Sequence, residues 1–326
     1  MSAGPVEVCC LGETMLLVAP RDGRALRGGA ECLLGTAGAE SNVATYLARL
    51  GHRVRWVSRL GTDALGTIVL DGVRASGVDT SAVERVGVAP TGVMFKDPGP
   101  AGTAVTYYRA GSAASTMDVP FLRAVTDPAP AVLHTTGITP ALSPACRELT
   151  DALVARPTGA LLSFDVNHRP ALWAGDAGPV LLGYARAADV VFVGLDEAHR
   201  LWDTATADAV AELVTGPTWL VVKDADREAV CFHPGGRAAV PSPPVDVVEP
   251  VGAGDAFAAG WLSGLLRGLD EREKLRLGHH LAGTALRSAG DQGTVPTEDE
   301  LGALLGIPPE RWTTRVEPHR LALDGD

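Results

Sequence analysis

Six short runs of this chain are apolar at nearly every position: residues 6–12 (VEVCCLG), 53–61 (RVRWVSRLG), 131–135 (AVLHT), 160–165 (ALLSFD), 189–193 (DVVFV) and 218–223 (TWLVVK). Apolarity on both faces at strand length predicts central strands of a parallel sheet covered from both sides. Between these runs the period becomes helical. Over residues 40–50, Val43, Ala44, Leu47 and Leu50 recur at the spacing of one helix face, and residues 65–75, 144–155 and 179–187 are further helix candidates. Strand–helix alternation predicts right-handed crossovers and a three-layer α/β/α fold with a mainly parallel central sheet.

Three segments break that rhythm. Residues 15–19, 91–96 and 103–109 read as strands with no helix between them, and the turn DPGPAG at 97–102 suggests a hairpin. Pattern alone leaves two placements. One is a small β-sheet lid over a ligand crevice, formed by segments near 13–36 and 90–112; the other is an edge hairpin of the main sheet. No internal repeat is evident, and a single domain spanning 1–326 is expected, with 308–326 as an irregular C-terminal tail.

Composition narrows the chemistry. A hydrophobic share of 46% against 21% charged residues supports a sizeable core. A formal net charge of −11 argues against nucleic-acid or acidic-membrane partners, so an anionic ligand must be held by local cations and backbone dipoles. Cys9, Cys10, Cys32, Cys146 and Cys231 are odd in number and form no CxxC pair, which predicts reduced thiols rather than a disulfide framework or zinc site. The start, MSAGPVEVCCLGE, lacks a basic region followed by an apolar run, and the longest apolar stretch, AFAAGWLSGLL, is too short to span a bilayer. A cytoplasmic protein is the expectation.

The stretch EPVGAGDAFAAGWL, residues 249–262, carries the first chemical signal. Gly252-Ala253-Gly254 precedes a helix, whose unpaired N–H groups can point together at one anion. No GxxxxGK[ST] occurs in the chain, and Phe257 stands where a dinucleotide fingerprint needs its third glycine. Asp255 then has two readings: a first-turn acid complementing the helix dipole, or a proton acceptor beside a bound phosphate. His134 and the pair His279-His280 read as packing residues, and Ser143 lacks a nucleophile elbow.

GAGDAFAAG resembles the C-terminal motif of the ribokinase-like (PfkB) carbohydrate kinases. TAGAESNVA (36–44), LARLG (47–51) and LGTDALG (60–66) resemble that family's N-terminal elements, in order and at similar spacing over roughly residues 6–305. Within the family the chain is most similar to 2-keto-3-deoxygluconate kinases, through YYRAGSAAS (107–115), GITPALS (137–143) and DVNHRPALW (165–173). The resemblance implies a ribokinase-like fold that uses ATP and Mg2+, with a monovalent cation as a further candidate. It implies phosphorylation of a primary hydroxyl of a keto-deoxy sugar acid, in particular 2-keto-3-deoxygluconate to its 6-phosphate.

By the same resemblance Asp255 is the general base, and Gly252, Ala253 and Gly254 supply amides to the transferring phosphoryl group. Gly38, Asn42, Tyr107, Arg109, Asn167, Arg169 and Asp291 surround the sugar. Lys223, with Gly252 and Gly254, faces the nucleotide, and Glu197 is a metal ligand. The residue chemistry agrees independently for the two arginines, since a sugar acid carries a carboxylate that guanidinium groups hold by planar, charge-assisted hydrogen bonds. Period-2 alternation allows only one of Tyr107 and Tyr108 to face the pocket. Glu197 reads equally as a first-turn helix acid, and Asp291 equally as a solvated loop acid.

The chain also departs from the family. Lys223-Asp224-Ala225-Asp226-Arg227-Glu228-Ala229 lacks the two glycines expected after the lysine. Glu249-Pro250 stands for an Asp-Thr pair, keeping the charge and losing the hydroxyl. Gly194 replaces an Asn, Ala37 the first of two glycines, and Met94 a lid tyrosine. Two rivals therefore accompany the leading reading: a PfkB-type kinase for a neutral hexose, keto-sugar or nucleoside, and a sugar-binding regulator without catalysis. Exposed lid edges make a homodimer paired through the lid the expected assembly.

Overall fold

The computed structural model describes residues 6–100, 102–155, 159–288 and 292–306. The expected tail, 308–326, and Asp291 lie outside them. In chain order the strands are β1 (Val8–Leu11), β2 (Met15–Pro20), β3 (Cys32–Ala37), β4 (Val54–Gly61), β5 (Val83–Val86), β6 (Val93–Gly99), β7 (Gly102–Tyr108), β8 (Val132–Thr136), β9 (Leu161–Asp165), β10 (Val190–Gly194), β11 (Trp219–Asp224), β12 (Glu228–His233) and β13 (Gly236–Pro241). Nine of them form one sheet in the order β13-β12-β11-β10-β9-β8-β1-β4-β5. It is parallel from β11 to β5.

The all-apolar strands are explained by two cores, one on each face. Alternate residues of β1 divide between them: Val8 and Cys10 join Tyr46, Trp56, Phe257 and Trp261 on one side, while Cys9 and Leu11 join Leu149, Phe164 and Leu181 on the other. Helices Ala39–Arg49, Ala253–Leu266 and Glu271–Leu286 cover the first face; Pro144–Ala155 and Gly178–Ala187 cover the second. Trp261 meets Phe192 and Trp219 edge-on, with centroids 5.5 and 6.1 Å apart. His279 packs edge-on to Phe257, its Nε2 3.1 Å from the Val240 carbonyl, and burial pushes its pKa down to about 4.

The sheet is mainly parallel, as expected, and both of its edges carry strands that the apolar runs did not mark. β12 and β13 form an antiparallel hairpin on β11, and the short β5 completes the other edge. Only the middles of β12 and β13 are buried, so neither has the continuous apolarity that marks a central strand.

The remaining four strands form a separate sheet, β3-β2-β6-β7, in which β2 and β6 are parallel and the other pairs antiparallel. None of them pairs with the large sheet, which decides for the lid over the edge hairpin. Its inner face buries Met15, Leu17, Ala37 and Met94 as a small apolar cluster. Leu33, Leu34 and Tyr108 on this sheet are exposed. Asp63, in the LGTDALG motif, ties the lid to the body. One oxygen caps helix Ala64–Ala75 through Gly66 N–H (2.7 Å), and the other accepts Thr91 N–H at 2.8 Å, at the root of β6.

Candidate active site

In the large sheet the chain runs outward from β1 to β4 and β5, then returns to place β8 on the other side of β1. Open α/β sheets bind ligands at such a switch point, beyond the carboxyl ends of the strands. The crevice here opens where β1, β8 and β9 end, and the lid closes it from above. Glu13, Ile138 and Arg169 come from those strand ends; Met15, Ala37, Met94, Tyr107 and Arg109 come from the lid; Val251, Gly252 and Asp255 come from the turn into helix Ala253–Leu266.

That turn forms because Gly252 adopts φ 87°, a left-handed conformation that costs a glycine little. The helix begins at Ala253, so Gly254 and Asp255 sit inside the first turn, where amides have no intrahelical acceptor. The helix thus takes in Ala253 and Gly254, which the sequence pattern puts ahead of it. Ala253 N–H differs from its neighbours in donating back to Pro250 O, at a long 3.4 Å.

Asp255 is 8% exposed, and side-chain amides reach both of its oxygens. Asn42 Nδ2 donates to Oδ2 at 2.9 Å and Asn167 Nδ2 to Oδ1 at 3.5 Å. Asn42 comes from helix Ala39–Arg49, for which Gly38 is the N-cap, and Gln292 Nε2 donates to its Oδ1 at 3.3 Å. Asn167 holds φ 37°, a conformation asparagine tolerates better than most residues. The family motifs around 38–44 and 165–169 thus meet on one carboxylate, although 213 and 88 residues separate the partners.

Of the two tyrosines, Tyr107 lines this crevice, and Tyr108 lies on the other side of β7 with Val93 and Phe95. The arginines are both present but unlike. Arg169 is exposed, and one guanidinium nitrogen is 3.4 Å from its neighbour's carbonyl, His168 O. Arg109 is paired with Glu13, which also accepts the Ser112 hydroxyl. Arg109 Nε is buried without a hydrogen-bond partner among the described residues.

Sequence reasoning assigned no role to Glu13, to Glu40 or to Asp165. Glu13 follows directly on β1, and a carboxylate at the carboxyl end of a central strand was the available signal. Glu40 is fully buried, accepts the Thr136 and Thr139 hydroxyls at 2.8 and 2.9 Å, and has its pKa raised by that burial.

On the far side of the turn, Lys223 Nζ lies 3.6 Å from where a Cβ on Gly254 would stand, so the lysine reaches the helix start. It pairs with Asp165 at 3.2 Å. Glu197 lies close enough for the Asp165 charge to be felt, and both of its oxygens accept backbone amides, from His168 and Gly194. It therefore braces the 165–169 segment against helix Leu195–Trp202. Among the described residues no group of three or more His, Cys, Asp or Glu is arranged to hold a metal.

Burial, followed by the Asp165 charge, pushes the Glu197 pKa up to about 7 from an ordinary 4.5. A carboxyl whose pKa rises on folding contributes stability below its unfolded pKa and loses it as pH climbs through the folded value. Glu197→Gln is accordingly expected to flatten the decline in melting temperature between about pH 4.5 and 7. Calorimetric melts of wild type and variant across that range check it. The buried histidines pull the other way in both proteins, so the difference between the two curves isolates Glu197. Superimposable curves exclude the assignment.

The chain matches the pfkB family carbohydrate kinase pattern over residues 6–298. It is 35% identical to a 2-dehydro-3-deoxygluconokinase of Bacillus subtilis (strain 168), with 92% of this chain and 95% of that one covered. A PfkB protein from Polaromonas sp. JS666 superimposes with a TM-score of 0.82 at 35% identity, covering 92% of this chain and 100% of the other. A fructokinase from Xylella fastidiosa, solved with bound ATP, gives a TM-score of 0.80 at 25% identity over 92% of this chain and 98% of that one. No helix among the described residues is long and apolar enough to cross a membrane. By its family match over residues 6–298, the relatives that resemble it along nearly its whole length and a fold shared with them, the chain belongs to the pfkB family of carbohydrate kinases and is a phosphotransferase acting on a sugar.

Proposed function

We propose that this kinase transfers the γ-phosphoryl group of ATP to a primary hydroxyl of a keto-deoxy sugar acid, with 2-keto-3-deoxygluconate (2-dehydro-3-deoxygluconate) going to its 6-phosphate. The observation that carries this reading is the convergence of Arg109, Arg169 and Tyr107 on the crevice that contains Asp255. A neutral sugar has no need of two guanidinium groups there. The similarity to the Bacillus subtilis 2-dehydro-3-deoxygluconokinase supports the same substrate class.

Asp255 takes the proton of the attacking hydroxyl while the new O–P bond forms and the β–γ bridging bond breaks, releasing ADP. Asn42 and Asn167 orient the carboxylate. Amides of Gly252, Gly254 and Asp255 receive the charge on the phosphoryl oxygens, and Ala253, already turned toward Pro250 O, contributes less. Lys223 meets the phosphates from the Asp165 side. The residues also fit magnesium, which takes one or two protein carboxylates and completes its shell with phosphate oxygens and water. Asp165 would hold it directly and Glu197 through water, because backbone amides occupy both Glu197 oxygens. When bound, the ion supplies charge neutralisation on the phosphates.

One observation favours a second reading. Glu13 already neutralises Arg109, as would suit a neutral hexose, and the Xylella relative is a fructokinase. An ADP-release assay with ATP over a panel of keto-deoxy sugar acids, fructose, ribose and nucleosides separates the two. The expected result is preferential turnover of a sugar acid; turnover of fructose or ribose with none of any sugar acid overturns the substrate assignment.

A further inference from the structure

Lys96 has no part in the site described so far, yet it connects the lid to the turn that opens helix Ala253–Leu266. It lies on β6, on the inner face with Met94, and the two are 2% and 3% exposed. Its register partner on β7 is Val105, two residues before the crevice-lining Tyr107. Lys96 Nζ stands 3.4 Å from Glu249 Oε2, and Glu249 is itself only 4% exposed. The other oxygen of Glu249 accepts Val251 N–H at 3.2 Å, and Gly252 follows. A continuous set of contacts therefore runs from the lid strand, through one buried ion pair, into the backbone whose next residues present the phosphate-facing amides.

A buried pair of this kind is poor evidence for stability, because desolvation offsets most of its attraction. Losing one partner is costly all the same, since the other charge is left without compensation. The pair is thus well suited to specifying one arrangement. If the lid lifts, the ammonium either leaves a buried carboxylate behind or draws the Glu249–Gly252 backbone with it. From this geometry we infer that Lys96 is a positioning residue: it registers the anion-binding turn to the seated lid, so that covering the sugar and aligning the phosphoryl-binding amides are one event. The inference rests on the turn's role in phosphoryl transfer.

The test uses Lys96→Met, Glu249→Gln, the double variant Lys96→Met/Glu249→Gln and the conservative Lys96→Arg. Steady-state kinetics are read on whichever sugar the wild type phosphorylates fastest. Misplacing reacting groups by about 1 Å costs on the order of 10²-fold, so each single variant is expected to lose about that much in kcat. The sugar KM is expected to change much less. A residue that only shaped the sugar side of the lid would raise the sugar KM and leave kcat alone. The double variant should be no slower than the worse single variant, because both act through one contact, and Lys96→Arg should recover most of the lost kcat. The double variant leaves neither charge buried alone, so it serves where a single variant does not fold. Wild-type kcat in the folded double variant, or multiplicative losses, overturns the inference. A wild type that phosphorylates no sugar is a failure of the functional reading instead, and the two outcomes are distinct.

Discussion

Asp255→Asn is expected to lower kcat by about 10²–10⁴-fold, the usual worth of a positioned general base, with the sugar KM changed by less than about threefold. The substitution keeps the side-chain shape and removes the proton acceptor. It also turns an NH2 group toward one of the two amides, from Asn42 and Asn167, that now meet acceptor oxygens. Some loss of melting temperature should accompany the loss of rate. The competing role, a first-turn acid complementing the helix dipole, is worth about 0.3–1 kcal/mol and acts on stability. The two roles therefore separate cleanly: a dipole acid gives a lower melting temperature with nearly normal kcat. A kcat loss below tenfold would remove Asp255 as the base.

The second large effect is expected at Arg169. Hydrogen bonds to charged groups are worth about 1.5–3 kcal/mol, so Arg169→Ala should reduce kcat/KM for a sugar acid by roughly 10–150-fold. On a neutral sugar the change should be small, about threefold or less. Arg169 is the better probe of the pair because it is exposed and hydrogen-bonds the His168 carbonyl rather than a carboxylate among the described residues. Arg109→Ala exposes a different problem. It leaves Glu13, 2% exposed, without its cation, so lost activity there mixes substrate binding with destabilisation. Parallel kinetics of Arg169→Ala on a sugar acid and on fructose give the answer. Equal losses on both substrates would show that the guanidinium does not read a carboxylate.

Much of the architecture is legible in the amino-acid sequence. The all-apolar runs became the centre of a parallel sheet because each of their faces meets a helical layer, and the residue division along β1 shows this directly. The helix over 40–50 was equally readable, and so was the glycine turn at Gly252, although the helix after it begins two residues earlier than the pattern suggests, since periodicity and glycine chemistry are local properties. The edges were less legible. β5 is short, and β5, β12 and β13 are only partly buried, so they lack the continuous apolarity that marks a central strand. The hairpin over 91–109 could be recognised as a hairpin, but not as part of a separate sheet. That depends on β2 pairing with β3 on one side and with β6 on the other, which local pattern does not encode.

Spacing within a few turns of chain was enough to specify the doubly covered sheet and the glycine turn that leads into helix Ala253–Leu266. Tertiary structure alone decided which partners the site residues have. It brought Asn42 and Asn167 to Asp255, turned Tyr107 inward and Tyr108 outward, occupied Arg109 with Glu13, and joined Lys96 to Glu249. The physical reason is the range of the interactions. Helix and strand periodicity act over neighbouring residues, whereas a buried charge must find its compensation wherever the fold supplies it.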